Sequence, residues 1–410
     1  MKKRKKPAPI WSARPISKSA GRNVEYCAGR DVSARPMADE VLIPYDLWTN
    51  KAHLVMLFQR RIVGRKQAAA ALRALGALER RVATGRFRLR PECEDVHTNI
   101  EEFVAQEAGS DVTGCLHTGR SRNDQTTNDV RLYLRDALHA VRSDLLDCVS
   151  RLIEQAGKNL DCVMPGFSHM QPAALTTWAH WQASHAQALL RDVVALEQAT
   201  RFANICPLGA AAGFGTSWRL DRKLVASLLG FESVQENSLD AVGNRWEMEA
   251  RAGAALAMMM DHFSILAQDL ILLSSPPREW ITLSRDFVTG SSIMPQKRNP
   301  DFAEVTRAKA SVVQGLLAAL LSVPKGMLSG YNRDTQWTKY LIMDLFHESG
   351  MTPRIFAGVV GTLKVHREKM RGEATKDFIN AVDVADYVAQ SRRLPFRKSY
   401  KAVAEAVNAC

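Results

Sequence analysis

The chain reads as all-α, and three features of its sequence carry that reading. Prolines are absent from residues 51–90, 94–164 and 208–275, stretches rich in Ala, Leu, Arg and Glu, which favour long helices. Apolar residues recur inside those stretches at steps of three and four. No segment sustains the period-two alternation of a half-buried strand.

Taken in order, the chain starts with a basic run, Lys2, Lys3, Arg4, Lys5 and Lys6, followed by Pro7, Pro9 and Pro15. No aromatic interleaving or amphipathic pattern follows it, so residues 1–20 read as a disordered, solvated arm rather than a nucleic-acid or membrane element. The rest of the +12 net charge is spread along the chain. From Asp124 to Gln155 the positions Val130, Leu134, Ala137, Leu138, Val141, Leu145, Val149 and Leu152 form one helical stripe. Helices are expected again over Thr176–Ala203 and Asp240–Leu273. The last is apolar over much of its circumference (Ala254, Ala255, Leu256, Met258, Met259, Met260), which suits the inside of a bundle or a subunit interface. Apolar runs such as Ile271–Leu273 and Leu316–Leu321 are too short to span a bilayer. The seven cysteines show no CxxC or zinc-knuckle spacing and read as free thiols of a cytoplasmic protein. No His/Cys cluster has metal-ligand spacing, and no Gly-rich phosphate loop appears.

Loops are expected over Gly109–Arg122, Met164–Ala174 and Pro276–Pro300, and each carries an unusual cluster. His117-Thr118-Gly119-Arg120-Ser121-Arg122-Asn123-Asp124-Gln125 sets two guanidiniums, an amide and two hydroxyls before a helix start. Forked Arg donors and a helix N-terminus suit a carboxylate; a polar capping loop with Asp124 as the cap fits the same residues. Gly166-Phe167-Ser168-His169-Met170-Gln171 holds a histidine beside a hydroxyl, which can move a proton near neutral pH or simply sit satisfied in a packed loop. The third cluster is Gly290-Ser291-Ser292-Ile293-Met294-Pro295-Gln296-Lys297-Arg298-Asn299-Pro300-Asp301. A serine there can act as a base if Lys297, Arg298 and nearby N–H groups stabilise its alkoxide; a flexible surface turn is the alternative.

This third cluster resembles the Gly-Ser-Ser-x-x-Pro-x-Lys-x-Asn-Pro signature of the fumarase/aspartase superfamily. Met-Pro-Gln-Lys together with His-Thr-Gly-Arg-Ser-Arg-Asn-Asp-Gln is similar, more narrowly, to the argininosuccinate lyase branch. Shorter matches are Glu94-Asp95-Val96-His97, Asn237-Ser238-Leu239-Asp240, Tyr331-Asn332-Arg333-Asp334-Thr335-Gln336 and Asp386-Tyr387-Val388.

The resemblance implies a three-domain lyase fold around a central long-helix bundle, placed here at 21–123, 124–350 and a short 351–410. It implies a homotetramer whose active sites gather loops from different subunits, and a cofactor-free elimination from a substituted succinate. Ser291 would be the proton-abstracting base. Lys297 and Asn299 would hold the carboxylate whose charge grows, and His169, with Ser168, would help protonate the departing nitrogen. Thr118, Ser121, Arg122 and Asn123 would bind carboxylates, and Asp95 and His97 would line the same pocket. Tyr331, Gln336, Lys339 and Arg245 would meet the amino-acid side of the substrate. The sequence departs from the family pattern at Ser168, at Ala173-Ala174-Leu175-Thr176-Thr177, at Trp246, near Ser33 and Ala34, and in its short C-terminal part. These departures touch the amine side, so an alternative is a paralogous lyase acting on a different N-substituted aspartate.

Overall fold

A computed structural model of the chain describes Arg22, Asn23, Tyr26, Cys27 and residues 38–410. The expected basic arm, and Ser33 and Ala34, lie outside the described residues.

After a 3-10 turn at Ala38–Leu42, helices α1 (Ile43–Gln59), α2 (Arg65–Ala83), α3 (Val96–Ala108) and α4 (Ser110–Leu116) pack on one another. Then comes α5 (Arg122–Gly157), 36 residues and about 54 Å long at 1.5 Å per residue. An antiparallel hairpin, β1 (Val163–Ser168) and β2 (Gln171–Thr177), leads into α6 (Trp178–Ala203). The two-residue strand β3 (Ile205–Cys206) pairs in parallel with β4 (Ser233–Val234), and α7 (Arg222–Leu228) lies between them. Next are α8 (Ser238–Gly243) and the long α9 (Arg245–Ser274). Strand β5 (Ile281–Thr282) pairs with β6 (Lys364–Val365) across α10 (Asp301–Ser322), α11 (Thr335–Ser349) and α12 (Thr352–Thr362). Helices α13 (Arg367–Glu373), α14 (Ala381–Arg392) and α15 (Phe396–Ala409) complete the chain.

The centre is a bundle in which α5 packs on α6 and α12, and α9 on α6, α10 and α11. The α5 stripe is buried as its spacing predicts: Leu134, Leu138, Leu145 and Leu152 have no exposed surface. They share one core with Leu256, Met259, Met260, Phe263 and Leu270 of α9 and with Phe302 and Phe356. Phe356 stands between the other two aromatics, 4.8 Å from Phe263 and 5.5 Å from Phe302 between ring centroids.

Four expectations need correction. The span Asp240–Leu273 is two helices, because α8 ends at Gly243 and α9 starts only at Arg245. Gly109–Arg122 is not all loop: Gly109, at φ +90°, turns the chain and α4 begins at once. Met164–Ala174 is a β-hairpin whose two turn residues, His169 and Met170, both take positive φ (52° and 63°). That is the primed turn geometry whose twist matches paired strands, reached here without glycine or asparagine. Finally, α9 is long and apolar enough to cross a membrane by length and composition, although no short run predicted it. Half of the relevant window is buried inside the chain. All seven cysteines are unpaired, as their spacing suggested.

Candidate active site

The sequence explains how Arg122 comes to face a cleft. Gly119 takes φ +71° in a turn that sends Arg120 inward. Arg120 is buried and donates to Asn50 Oδ1 at 2.8 Å. Ser121 then caps α5, accepting from Asn123 N–H at 3.3 Å, while Asp124 Oδ1 accepts from Ser121 N–H at 3.0 Å. Ser121 is therefore the cap and Asp124 its capping-box partner, whereas the capping alternative read from the sequence had Asp124 as the cap. The second oxygen of Asp124 accepts from the N–H groups of Gly209 and Ala211 at 2.9 and 2.8 Å, fixing the start of α5.

Arg122 leaves this corner for a cleft of about 490 Å³. Asn123, Asp95, Arg245, Tyr331, Gln336 and Lys339, all singled out in the sequence, line the same cleft. Asp95 caps α3 through Oδ1, which accepts from Thr98 N–H at 2.7 Å, and its Oδ2 lies 3.2 Å from Arg122 Nη1. Glu94 just before it sits at φ 63°, ψ −56°, a strained γ-turn closed by Asp95 N–H donating to Cys93 C=O at 2.7 Å. Strain of this kind gathers at functional sites. Lys339 is buried and paired with Asp39. Arg245 is also buried; it donates to Thr335 C=O at 2.6 Å and stands 5.8 Å over the Tyr331 ring. Burial pulls its guanidinium below its ordinary value, with Glu249 acting against that. The cleft therefore presents cations already aligned by carboxylates, which is the requirement for receiving an anionic substrate without reorganisation.

The other sequence-selected residues lie elsewhere. Thr118 stays outside the cleft lining, where its carbonyl accepts from His53 Nε2 at 2.9 Å. His97 is behind the wall rather than on it: it is 2% exposed, with Nδ1 2.8 Å from Asp46 Oδ1 and Nε2 3.0 Å from Thr126 Oγ1. Ser168 and His169 stand exposed at the hairpin tip, bordering a separate cavity of about 300 Å³ with Trp181, Asp269 and Arg278. Neither cavity's lining includes Ser291, Lys297 or Asn299.

The Ser291 loop is pinned at its neck. Thr289 and Asn299 exchange backbone hydrogen bonds of 3.0 and 2.8 Å, and Thr289 Oγ1 donates to Asp301. Ser291 Oγ accepts from the N–H groups of Ile293 (3.3 Å) and Met294 (3.1 Å). Two N–H dipoles aimed at a hydroxyl oxygen favour its alkoxide. Lys297 and most of its neighbours in the loop are exposed, and Ile293 is 82% exposed.

A family model described as "Lyase" matches residues 46–315, and one described as "Argininosuccinate lyase C-terminal" matches 378–410. Argininosuccinate lyase of Thiobacillus denitrificans is 39% identical over 98% of this chain and 85% of its own length. The chain belongs to the argininosuccinate lyase family. The enzyme of that name from Paraburkholderia phymatum is 40% identical over 91% of this chain and 79% of its own. Among solved structures, an EDDS lyase in complex with formate superposes with TM-score 0.83 at 26% identity, covering 98% of this chain and 78% of that one.

For a chain of this family, sequence reading missed several cleft residues. Asp39, Thr126, Arg333 and Tyr340 line it too. Arg333 donates to Glu94 Oε1 at 3.1 Å and Gln336 to Tyr340 Oη at 2.9 Å. Arg333 lay inside the quoted Tyr331–Gln336 motif, so its place was visible; Asp39 and Thr126 gave no signal. Also missed was a buried cluster behind the cleft. Asp46, His97 and Asp129 bring their ligand atoms within 4.8 Å of each other, a spacing short enough for a cation. Most of those atoms already have partners: Asn50, Gln125 and His97 face Asp46, and Thr49 donates to Asp129 Oδ1 at 2.6 Å, which leaves Asp129 Oδ2 without a hydrogen-bond partner, while the Arg120 guanidinium adds a competing charge. The group is a hydrogen-bonded charge cluster rather than an open ligand set.

Proposed function

We propose that the chain splits argininosuccinate into arginine and fumarate by β-elimination, as a homotetramer in the cytoplasm. Ser291 Oγ removes the proton from the carbon beside a carboxylate. The electron pair enters that carboxylate, whose doubly charged aci form is held by Lys297 and Asn299. Its return forms the C=C bond and breaks the C–N bond, and His169, beside Ser168, delivers a proton to the departing nitrogen. Arg122 and Asn123 hold substrate carboxylates, and Arg245, Tyr331, Gln336 and Lys339 meet the arginine end. Closure of the 290–298 loop, exposed from Ser292 to Arg298, excludes water from the reacting centre. No step calls for a cofactor.

The observation that carries this reading is the pair of N–H groups on Ser291 Oγ, together with a cleft of aligned cations. What supports the tetramer is that, within the single chain, the cleft and the hairpin border separate cavities and Ser291, Lys297 and Asn299 line neither. Exposed apolar side chains on the long helices support it: Leu146 and Ile153 of α5, Val194 of α6, Met258 and Ile265 of α9. The test is to incubate purified protein with argininosuccinate and follow fumarate by its ultraviolet absorbance; absence of fumarate sinks the proposal.

A second reading, a lyase for another N-substituted aspartate, is favoured by Trp246. It borders a distinct cavity of about 440 Å³ with Asn237, Asp240 and Gly330, next in sequence to the cleft's Arg245. Fumarate from a different aspartate adduct, with none from argininosuccinate, selects it.

A further inference from the structure

The residue that joins the buried charge cluster to the cleft is Thr126. Thr126 lines the cleft beside Arg122 and Asn123, while its Oγ1 lies 3.0 Å from His97 Nε2. The other ring nitrogen of His97 lies 2.8 Å from Asp46 Oδ1. Asp46 is fixed in turn by Gln125 Nε2 at 2.6 Å and Asn50 Nδ2 at 2.8 Å. An acid, an imidazole and a hydroxyl thus stand in line from the core to the cleft wall. The line uses α1, α3 and α5, all rigid elements.

We propose that Thr126 is a substrate-positioning residue whose hydroxyl donates into the cleft to an oxygen of the bound succinyl group, in a direction imposed by the Asp46–His97 pair. The proposal rests on the lyase reading above and adds a contact to it. The reasoning is one of donors and acceptors. An imidazolium donates from both nitrogens. With Nδ1–H given to Asp46 and Nε2–H given to Thr126, the threonine oxygen is an acceptor on its buried side. Its own O–H then has only the cleft to turn to. A neutral imidazole keeps its proton on Nδ1 for Asp46, so Nε2 becomes an acceptor and Thr126 turns inward to donate to it. The cleft then loses a donor.

The groups that face His97 favour the charged form. Desolvation of the ring opposes that form, but Asp46 on α1, Asp95 ahead of α3 and Asp39 in the 3-10 turn ahead of α1 outweigh it and raise the pKa; Asp129 on α5 also faces the ring, with Oδ2 3.8 Å from Nδ1. His97, and after it the Arg120 guanidinium on the Asp46 side of the cluster, hold the Asp46 carboxyl below its ordinary value against its burial. Burial and the Asp46 charge push the Asp129 carboxyl well above its ordinary value. The arrangement therefore favours the outward hydroxyl.

The experiment compares wild type, Thr126→Val and Thr126→Ser by KM and kcat for argininosuccinate from neutral to alkaline pH, and by calorimetric binding of succinate. A lost hydrogen bond to a charged group predicts a rise of about tenfold or more in KM and in succinate Kd for Thr126→Val. Its kcat should stay within about threefold, because no bond to the reacting atoms is removed. Thr126→Ser restores both constants. Wild-type KM climbs as pH rises through the His97 pKa, whereas the valine variant shows no such climb. Thr126→Ala serves the same comparison if the valine variant folds poorly. Unchanged KM and Kd in the valine or alanine variant, with wild type active, overturn this inference alone. Wild type that neither binds succinate nor releases fumarate overturns the lyase reading and this inference with it.

Discussion

Replacing Glu249 by Gln should make the protein more stable at alkaline pH and leave it unchanged at acid pH. Glu249 lies on α9 one turn after Arg245, 2% exposed, with Oε2 lacking a hydrogen-bond partner. Burial pushes its carboxyl from 4.5 up to about 7, against the pull of Arg245, Thr338, Lys339 and Arg131. Between those two values the unfolded chain has released its proton while the folded chain still holds it. Folding stability therefore falls as pH rises through this window, and the loss is complete above about 7. At about 1.4 kcal/mol per pH unit the loss amounts to roughly 3 kcal/mol. Glutamine keeps the shape and a hydrogen bond to Thr338 but has no charge to bury. An unfolding entropy of about 2.1 cal/mol/K per residue gives roughly 0.9 kcal/mol/K for a chain of this length, so the gain corresponds to about 4 °C in Tm. Thermal midpoints of wild type and Glu249→Gln measured across the acid-to-alkaline range provide the assay. Parallel curves for the two proteins would refute the reasoning, since they would mean that Glu249 folds with its charge already compensated.

Ser291→Ala should lower kcat by roughly three orders of magnitude or more, since it removes the base together with the oxygen that its two N–H donors serve. Its Tm should barely move, because the loop is still held by the Thr289–Asn299 pair; near-normal turnover in the fumarate assay would remove Ser291 from its role. Asp95→Asn preserves the α3 cap and should cost under about 1 kcal/mol, whereas Asp95→Ala loses the cap and costs about 1 kcal/mol more in urea titrations. Both should raise KM, because Arg122 loses its aligning charge. At Gly358 on α12 an added Cβ would sit 2.4 Å from Phe287 Cζ, and Phe287 is itself buried. Gly358→Ala should therefore destabilise by about 1–3 kcal/mol in spite of alanine's better helix propensity, and Phe287→Leu should recover part of the loss in the double variant.

The helices of the central bundle were legible because their signal is local. Leu134, Leu138, Leu145 and Leu152 repeat at helical spacing, and burial of that face follows from the spacing alone. The hairpin was hidden for an equally local reason. Its turn uses His169 and Met170, residues with no preference for positive φ, so the usual Asn-Gly signal was missing. The tertiary structure imposes this backbone, and the strain falls on the residue to which the proton transfer was assigned from sequence.

The cleft divides along similar lines. Arg122, Asp95 and Tyr331 could be named because each sits in a motif that resembles the family's, and Lys339 from the resemblance alone; all four line one cavity. Thr126 could not be named, because beside Thr127 on α5 it looks like any helical threonine. The difference between the two comes from long-range packing: Thr127 turns its hydroxyl back to the Asn123 carbonyl at 2.7 Å, the ordinary fate of a helical threonine, whereas Thr126 meets His97 from 29 positions away. That meeting depends on the starts of α3 and α5 being held together, as they also are where Arg122 donates to Thr98, and the start of α5 is fixed by Arg120 and Asp124 being tied to Asn50, Gly209 and Ala211. Sequence motifs therefore located the groups that touch solvent in the cleft. The buried charges that orient those groups emerge only once three helices and two loops are brought together, and it is those buried charges that decide which way a cleft hydroxyl points.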